Sequence, residues 1–361
     1  DPAVRAIGLH IEGLQDIPCF ERAALKALSK GIPVVALKTG SSEIGSALTV
    51  SHTGSLSGAT ELYEALFART GVISVTNPSQ FIETLKYLCV VGAPKGARVA
   101  GFTCSGGGAT MLADYAEKIG LVFPPVDPVE ETALKALLPE IATVSNPLDY
   151  TTPIWGQGDL TYPVFAKAIA AVGADAAVLV QDYPAAGLDA SKGYYQQDAA
   201  AFGRAAKEQS LPAAICATLP ENMDLETRQF LIAEGLAPMQ GIHETLNAIG
   251  QAATWAQTRA RISLRMPAPL LPARQVGALE MLTEDKGKDW LAKQGVAVPQ
   301  GRVATAEQLS EIAHEIGFPV ALKMMSPLLA HKTEAGAVAL NLNDDAEVSK
   351  AAAQMRTDVT E

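Results

Sequence analysis

The feature that most constrains the fold is a repeated alternation of short β-rich runs with helical patterns. Residues 6 to 11, 32 to 37, 99 to 104, 177 to 179 and 213 to 217 are such runs, and helical spacing recurs between them. Strands joined through helices need crossover connections, and crossovers produce parallel sheets. Two consecutive doubly wound α/β domains are therefore expected. The first helix is predicted to start at Asp16 as N-cap, to carry Pro18 in its opening turn, and to stop at Gly31. Phe20, Ala24 and Leu28 share one of its faces. Further helices are predicted near residues 59 to 69 and 109 to 119. Pro267, Pro269 and Pro272 exclude a continuous helix and mark a linker. Beyond it, helices over 280 to 295 and 305 to 317 and strands over 319 to 324 and 338 to 342 form a third block.

Composition narrows the partners. A chain of 361 residues, 48% hydrophobic and 19% charged, buries enough for two or three domains. Its net charge of −11 and the absence of a long basic run exclude the electrostatic footprint of a nucleic-acid binder. Cys19, Cys89, Cys104 and Cys216 are far apart with no CxxC or Cys/His spacing, which argues against a disulfide framework or a zinc site and for reduced thiols. No apolar run reaches the roughly 18 residues of a membrane span, and no leader pattern is read. A soluble cytoplasmic protein without membrane contact is expected.

Candidate chemistry gathers in three loops. Residues 38 to 57 form a Gly/Ser/Thr-rich connection, where α/β units usually spend only about 2–6 residues. At its centre His52 stands among Ser51, Thr53, Gly54, Ser55 and Ser57, small donors suited to an anion. A phosphoryl group there would draw on backbone amides and on the helices starting near Pro18 and Ala59; an incidental histidine in a surface loop is the competing reading. Glu12 ends the first strand at the edge where such sheets place ligands, and a carboxylate can fix an imidazole's tautomer; an exposed helix cap is its alternative. Ser105, Gly106, Gly107 and Gly108 follow a strand and open a helix, so their amides can approach phosphate oxygens. Tight strand-to-helix packing explains the same glycines, and neither GxxxxGK nor GxGxxG is present. In the third block Lys323 ends a strand, where it could serve as a point charge for nucleotide phosphates, and His331 lies in the loop after it; taken singly, both are more often solvated polar residues than ligands. His10, His243 and His314 fall inside strand or helix patterns and are assigned structural roles. Tyr150 and Trp155 are candidates to line an acyl pocket, with ordinary core burial the preferred reading.

Together these residues resemble the ADP-forming acyl-CoA synthetases, relatives of succinyl-CoA synthetase. The run Lys38-Thr-Gly-Ser-Ser-Glu through Ser51-His-Thr-Gly-Ser-Leu-Ser-Gly is similar to that family's phosphohistidine loop, and Ile11-Glu-Gly to the segment whose glutamate supports the histidine. Ser105 to Gly108 and Asn146-Pro-Leu-Asp149 resemble the second ligase domain, whose glycine-led helix helps to hold the phosphorylated imidazole. From Leu282 onward the chain is similar to the opening of an ATP-grasp fold, with Lys323 at a nucleotide-contacting lysine and His331 on a mobile loop; Lys332-Thr-Glu334-Ala-Gly departs modestly from the usual pattern.

The resemblance implies an α/β protein: two flavodoxin-like, succinyl-CoA-synthetase-like parallel-sheet domains followed by an incomplete ATP-grasp subdomain. Its boundaries would be 1 to 93 for the phosphohistidine ligase domain, 94 to 262 for the second ligase domain, 263 to 276 for the linker, and 277 to 361 for the ATP-grasp part. A CoA-binding domain is expected ahead of residue 1, and the remaining ATP-grasp portion with its Mg2+ ligands after residue 361; no metal ligand is assigned within the chain. It further implies conversion of a carboxylic acid, CoA and ATP into acyl-CoA, ADP and phosphate, in either direction, by a homo-oligomer. His52, oriented by Glu12, would take the phosphoryl group, with Gly54 and Ser105 to Gly108 holding phosphate. His331 would carry it to a nucleotide held partly by Lys323. The alternatives are a synthetase-like sensor within a protein acetyltransferase, and a non-catalytic nucleotide or acyl-CoA binding module.

Overall fold

The computed structural model describes residues 1–40, 42, 44, 60–185, 187, 188, 190–270, 282–325 and 335–359. The chain divides into two units, Asp1–Pro272 and Ala273–Glu361.

The first unit holds two parallel sheets. In the smaller one β1 (Ile7–Ile11), β2 (Val34–Lys38) and β3 (Ile73–Val75) lie in that order. Helices α1 (Ile17–Ser29), α2 (Thr60–Thr70) and α3 (Pro78–Val90) complete it. Val34, Val35 and Ala36 are all buried because both faces of the sheet are covered. Ala36 packs with Ala24, Tyr63 and Phe67, whereas Val35 packs with Tyr87 and Leu88 of α3. Asp16 caps α1, accepting the Cys19 N–H at 2.8 Å, and Ala24 and Leu28 form its buried stripe as the spacing predicts. Beyond the C-cap Lys30, Gly31 takes φ +73°, a conformation that suits glycine and ends the helix.

The larger sheet contains β4 (Val99–Thr103), β5 (Leu148–Asp149), β6 (Ala176–Val180), β7 (Ala213–Ala217) and β8 (Ala237–Gln240). All pair in parallel in the order β5-β4-β6-β7-β8. Numbered within the domain this is 2-1-3-4-5, the flavodoxin-like order, which reverses direction between β4 and β6. Its helices are α4 (Gly106–Ile119), α5 (Pro128–Lys135), α6 (Gly158–Val172), α7 (Lys192–Glu208), α8 (Leu225–Ala233) and α9 (Ile242–Leu264). Every residue of β4, β6 and β7 is buried, so these strands read as continuous apolar runs. On one face Phe102 meets Phe165 and Phe202 edge-on at 5.1 and 5.8 Å. Each such buried side chain contributes about 2 kcal/mol of transfer free energy.

The second unit carries α10 (Glu284–Lys293), α11 (Leu309–Ile316), an antiparallel pair β9 (Val320–Lys323) and β10 (Val338–Leu342), and α12 (Asp345–Asp358). Its core is small, centred on Ala313, Leu342 and Val348. The helix predicted over 305 to 317 resolves into a short 3-10 turn, closed by a reciprocal Thr305–Gln308 capping box, and then α11. Among the described residues no helix is long and apolar enough to cross a membrane.

Candidate functional site

β1 and β2 end side by side, with Ile11 opposite Lys38, and Glu12 follows at this carboxyl edge, exposed to solvent. Lys38 faces it: burial lowers the affinity of its amine for a proton, and the Glu12 carboxylate opposes that shift. The Lys38 ammonium stands 4.7 Å from the centre of the Tyr63 ring and donates to the Thr39 carbonyl at 2.5 Å. Tyr63 Oη in turn accepts the Leu14 N–H at 3.0 Å, which fixes the turn after Glu12. His10 reaches the same edge, its Nε2 3.2 Å from Thr39 Oγ1. Sequence reasoning singled out Glu12 but not Lys38 as its neighbour; the strand-end logic applied to Lys323 would have found it. His52 and Gly54 lie outside the described residues. Of the two helices expected to face His52, α1 already has the Asp16 carboxylate on its N-terminus.

The second sheet offers a more open helix end. Ser105 is the N-cap of α4 but makes no side-chain capping bond, so the first-turn amides of Gly106, Gly107 and Gly108 lack both a cap and an intrahelical acceptor. A Cβ built on Gly106 or Gly107 would meet its nearest neighbour only at 3.7 Å, so both backbones stand open. Gly108 differs: a Cβ there would lie 2.6 Å from Thr103 Oγ1. The two readings of the glycine run thus divide among its members, with approach for Gly106 and Gly107 and tight packing onto β4 for Gly108. The helix was predicted to begin near 109; it begins at Gly106 because first-turn amides need no intrahelical partner. This N-terminus lies at the β4/β6 reversal, where such sheets form their ligand crevice. One carboxylate is already near, since Asp149 Oδ2 comes within 3.7 Å of the Gly106 Cβ position.

The loop following Asp149 is organised by one buried residue that the sequence analysis did not single out. Asp198, on α7, accepts Tyr150 Oη–H and the Gly156 N–H, each at 3.0 Å, and Thr161 Oγ1–H at 3.0 Å. Burial raises its carboxyl pKa, and the three donors pull the other way. Tyr150 is fully buried, as the preferred reading held, whereas Trp155 is only partly covered by Tyr194 and Tyr195. An isolated Asp within a helical pattern gives no sequence signal for such a role. Cys104, at the end of β4, has its thiol pKa raised by burial and is a poor nucleophile.

In the second unit Lys323 ends β9 as predicted, with Nζ 2.7 Å from Glu284 Oε1 at the start of α10. The Lys323 hydrogen bond, with help from Lys288, holds the Glu284 carboxyl down at about 2. His331 and Glu334 lie outside the described residues. His314 pairs with Asp345 at 2.8 Å and His243 contacts Glu244 and the Tyr115 ring, in line with structural roles.

Comparison with known proteins fits this geometry. Residues 1–88 match the succinyl-CoA ligase like flavodoxin domain, and residues 274–361 match an ATP-grasp domain. An ADP-forming acetate–CoA ligase I of Archaeoglobus fulgidus is 26% identical over 96% of this chain and 49% of its own length. A trans-feruloyl-CoA synthase from an unknown prokaryotic organism is 27% identical over 98% of this chain and 50% of its own. The chain thus spans about half the length of these relatives. The apo dinucleotide-forming acetyl-coenzyme A synthetase 1 of Ca. Korarchaeum cryptofilum superposes with a TM-score of 0.61 at 20% identity, covering 74% of this chain and 57% of that one, a likeness of fold. The chain thus joins a succinyl-CoA-ligase-like flavodoxin domain to an ATP-grasp domain and is similar, over nearly its whole length, to ADP-forming acyl-CoA synthetases.

Proposed function

We propose that this chain handles the phosphoryl group in an acid–CoA ligase that joins a carboxylic acid to CoA as ATP becomes ADP and phosphate, and that also runs in reverse. The observation that carries the reading is the uncapped N-terminus of α4 at the β4/β6 reversal, in a chain whose relatives are ADP-forming ligases. In the acyl-CoA-consuming direction, phosphate attacks the thioester carbonyl, the C–S bond breaks, and CoA leaves as its thiol beside an acyl phosphate. His52 Nε2 or Nδ1 then attacks that phosphorus, and the carboxylate departs as the P–O bond breaks. Glu12 orients the imidazole. Phosphoryl transfer depends chiefly on positioning and charge stabilisation. The amides of Gly54 and of Ser105 to Gly108 would provide it, and the Lys38 ammonium beside Glu12 adds a positive charge.

His331 next collects the phosphoryl group and passes it to ADP, with Lys323 exchanging Glu284 for a nucleotide phosphate. The nucleotide would enter as its Mg2+ complex, and a cytoplasmic homo-oligomer is the assembly this reading anticipates. The matched relatives are ligases, which leaves the acetyltransferase-sensor alternative without support. The test is thioester formation by the full-length enzyme from ATP, CoA and a panel of acids, with ADP and phosphate measured in step. Absence of acyl-CoA from every acid would refute the proposal.

A further inference from the structure

We infer that the cleft at the start of α7 receives the side chain of the acid and selects a planar aromatic one; this rests on the ligase reading above. The cleft has a volume of about 390 Å³ and is lined by Ala190, Ser191, Gly193, Tyr194 and Gln197. It opens on the same carboxyl edge as the α4 N-terminus, because α7 follows the loop leaving β6 and Trp155 lies in the loop leaving β5.

Two observations bear on its chemistry. Among the described residues none that lines the cleft is charged, and the neighbouring Lys192 is turned away into ion pairs with Asp224 at 3.0 Å and Glu226 at 2.9 Å. Aromatic faces run from the crevice to the cleft: Tyr183 to Tyr195 at 5.3 Å, Tyr195 to Trp155 at 4.9 Å, and Trp155 to Tyr194 at 5.6 Å. A flat ring would gain stacking on Tyr194, whereas a small aliphatic acid would not.

The wall is also built to stay in place. Gly156 has φ +73°, and a Cβ on it would lie 2.5 Å from Tyr194 Cβ, so this glycine lets the Trp155 loop close directly onto Tyr194. Asp198 binds the Gly156 amide from the next turn of the same helix. Tyr194 itself is 52% exposed, and its ring is available to a ligand.

The test compares thioester formation by the full-length enzyme with 4-hydroxycinnamate and with propionate. The wild type should favour the aromatic acid in kcat/KM. Tyr194→Ala should lower that preference about tenfold, chiefly through KM for the aromatic acid, as expected for one lost stacking partner. Tyr194→Phe should restore it. A wild type that prefers propionate, or an unchanged ratio in Tyr194→Ala, would overturn the cleft while leaving the ligase reading standing. Failure with every acid would remove both.

Discussion

At the scale of single residues, Asp198 and Glu284 show how differently two carboxylates can be held. Asp198 is fully buried and serves three donors, so Asp198→Ala would strand Tyr150 Oη–H and the Gly156 amide in the interior. Its chemical-denaturation midpoint should correspond to a loss of roughly 2–3 kcal/mol. Asp198→Asn keeps an acceptor for two of the donors and should lose less. Because burial raises this carboxyl's pKa, the folded state binds its proton more tightly than the unfolded chain. Its contribution to stability therefore falls as pH rises from the ordinary carboxylate value of 3.8 through the raised one. Glu284 has the opposite sign. Held at about 2 rather than 4.5, it stabilises the second unit above pH 4.5, and that contribution fades as pH falls from 4.5 toward 2. Hydrogen-exchange protection across α10, corrected for intrinsic exchange, should decline in that window, and Glu284→Gln should abolish the decline.

At the scale of elements, the junction of β4 with α4 holds the most consequence. Gly108→Ala would force Thr103 Oγ1 away from its 3.2 Å contact with the Ser105 amide or lift the helix from the strand. Thermal unfolding should register a cost of about 1–3 kcal/mol, and phosphate affinity should fall with it. Asp149→Asn should do the reverse for binding, because it removes the carboxylate nearest the Gly106 amide. Titration with inorganic phosphate would show tighter binding than in the wild type. Much of this element was legible in the chain, since an apolar run followed by Ser-Gly-Gly-Gly signals a strand-to-helix turn. The helices with local signals were read with similar success: Asp16, Pro18 and Gly31 bracket α1, where capping chemistry is confined to neighbouring residues. What was not legible depends on distant pairing. The β5-β4-β6-β7-β8 order, the meeting of Trp155 with Tyr194, and the position of Asp198 beneath Gly156 all arise from packing between segments, which no local pattern encodes. Lys323 was foreseen as a free charge at a strand end, but its partner Glu284 comes from another element.

At the scale of the molecule, the two sheets of the first unit are locked together through α3. Glu83 is buried on that helix, where it accepts the Gln240 amide of β8 at 2.9 Å and the Lys86 ammonium at 2.7 Å. Burial lowers the Lys86 pKa, and Glu83 resists the change. Glu83→Ala would leave a half-buried ammonium without its partner and should cost about 3 kcal/mol, visible as separate unfolding of the two sheets in calorimetry. Such rigidity suits the proposed site, which would draw on both carboxyl edges, with Glu12 and Lys38 on one and the α4 amides on the other. The central claim is that His52 carries the phosphoryl group. Incubation of the full-length enzyme with acyl-CoA and labelled inorganic phosphate should give an acid-labile, base-stable phosphoenzyme that disappears in His52→Ala and is discharged by ADP. Undiminished labelling of the His52→Ala enzyme would contradict the account.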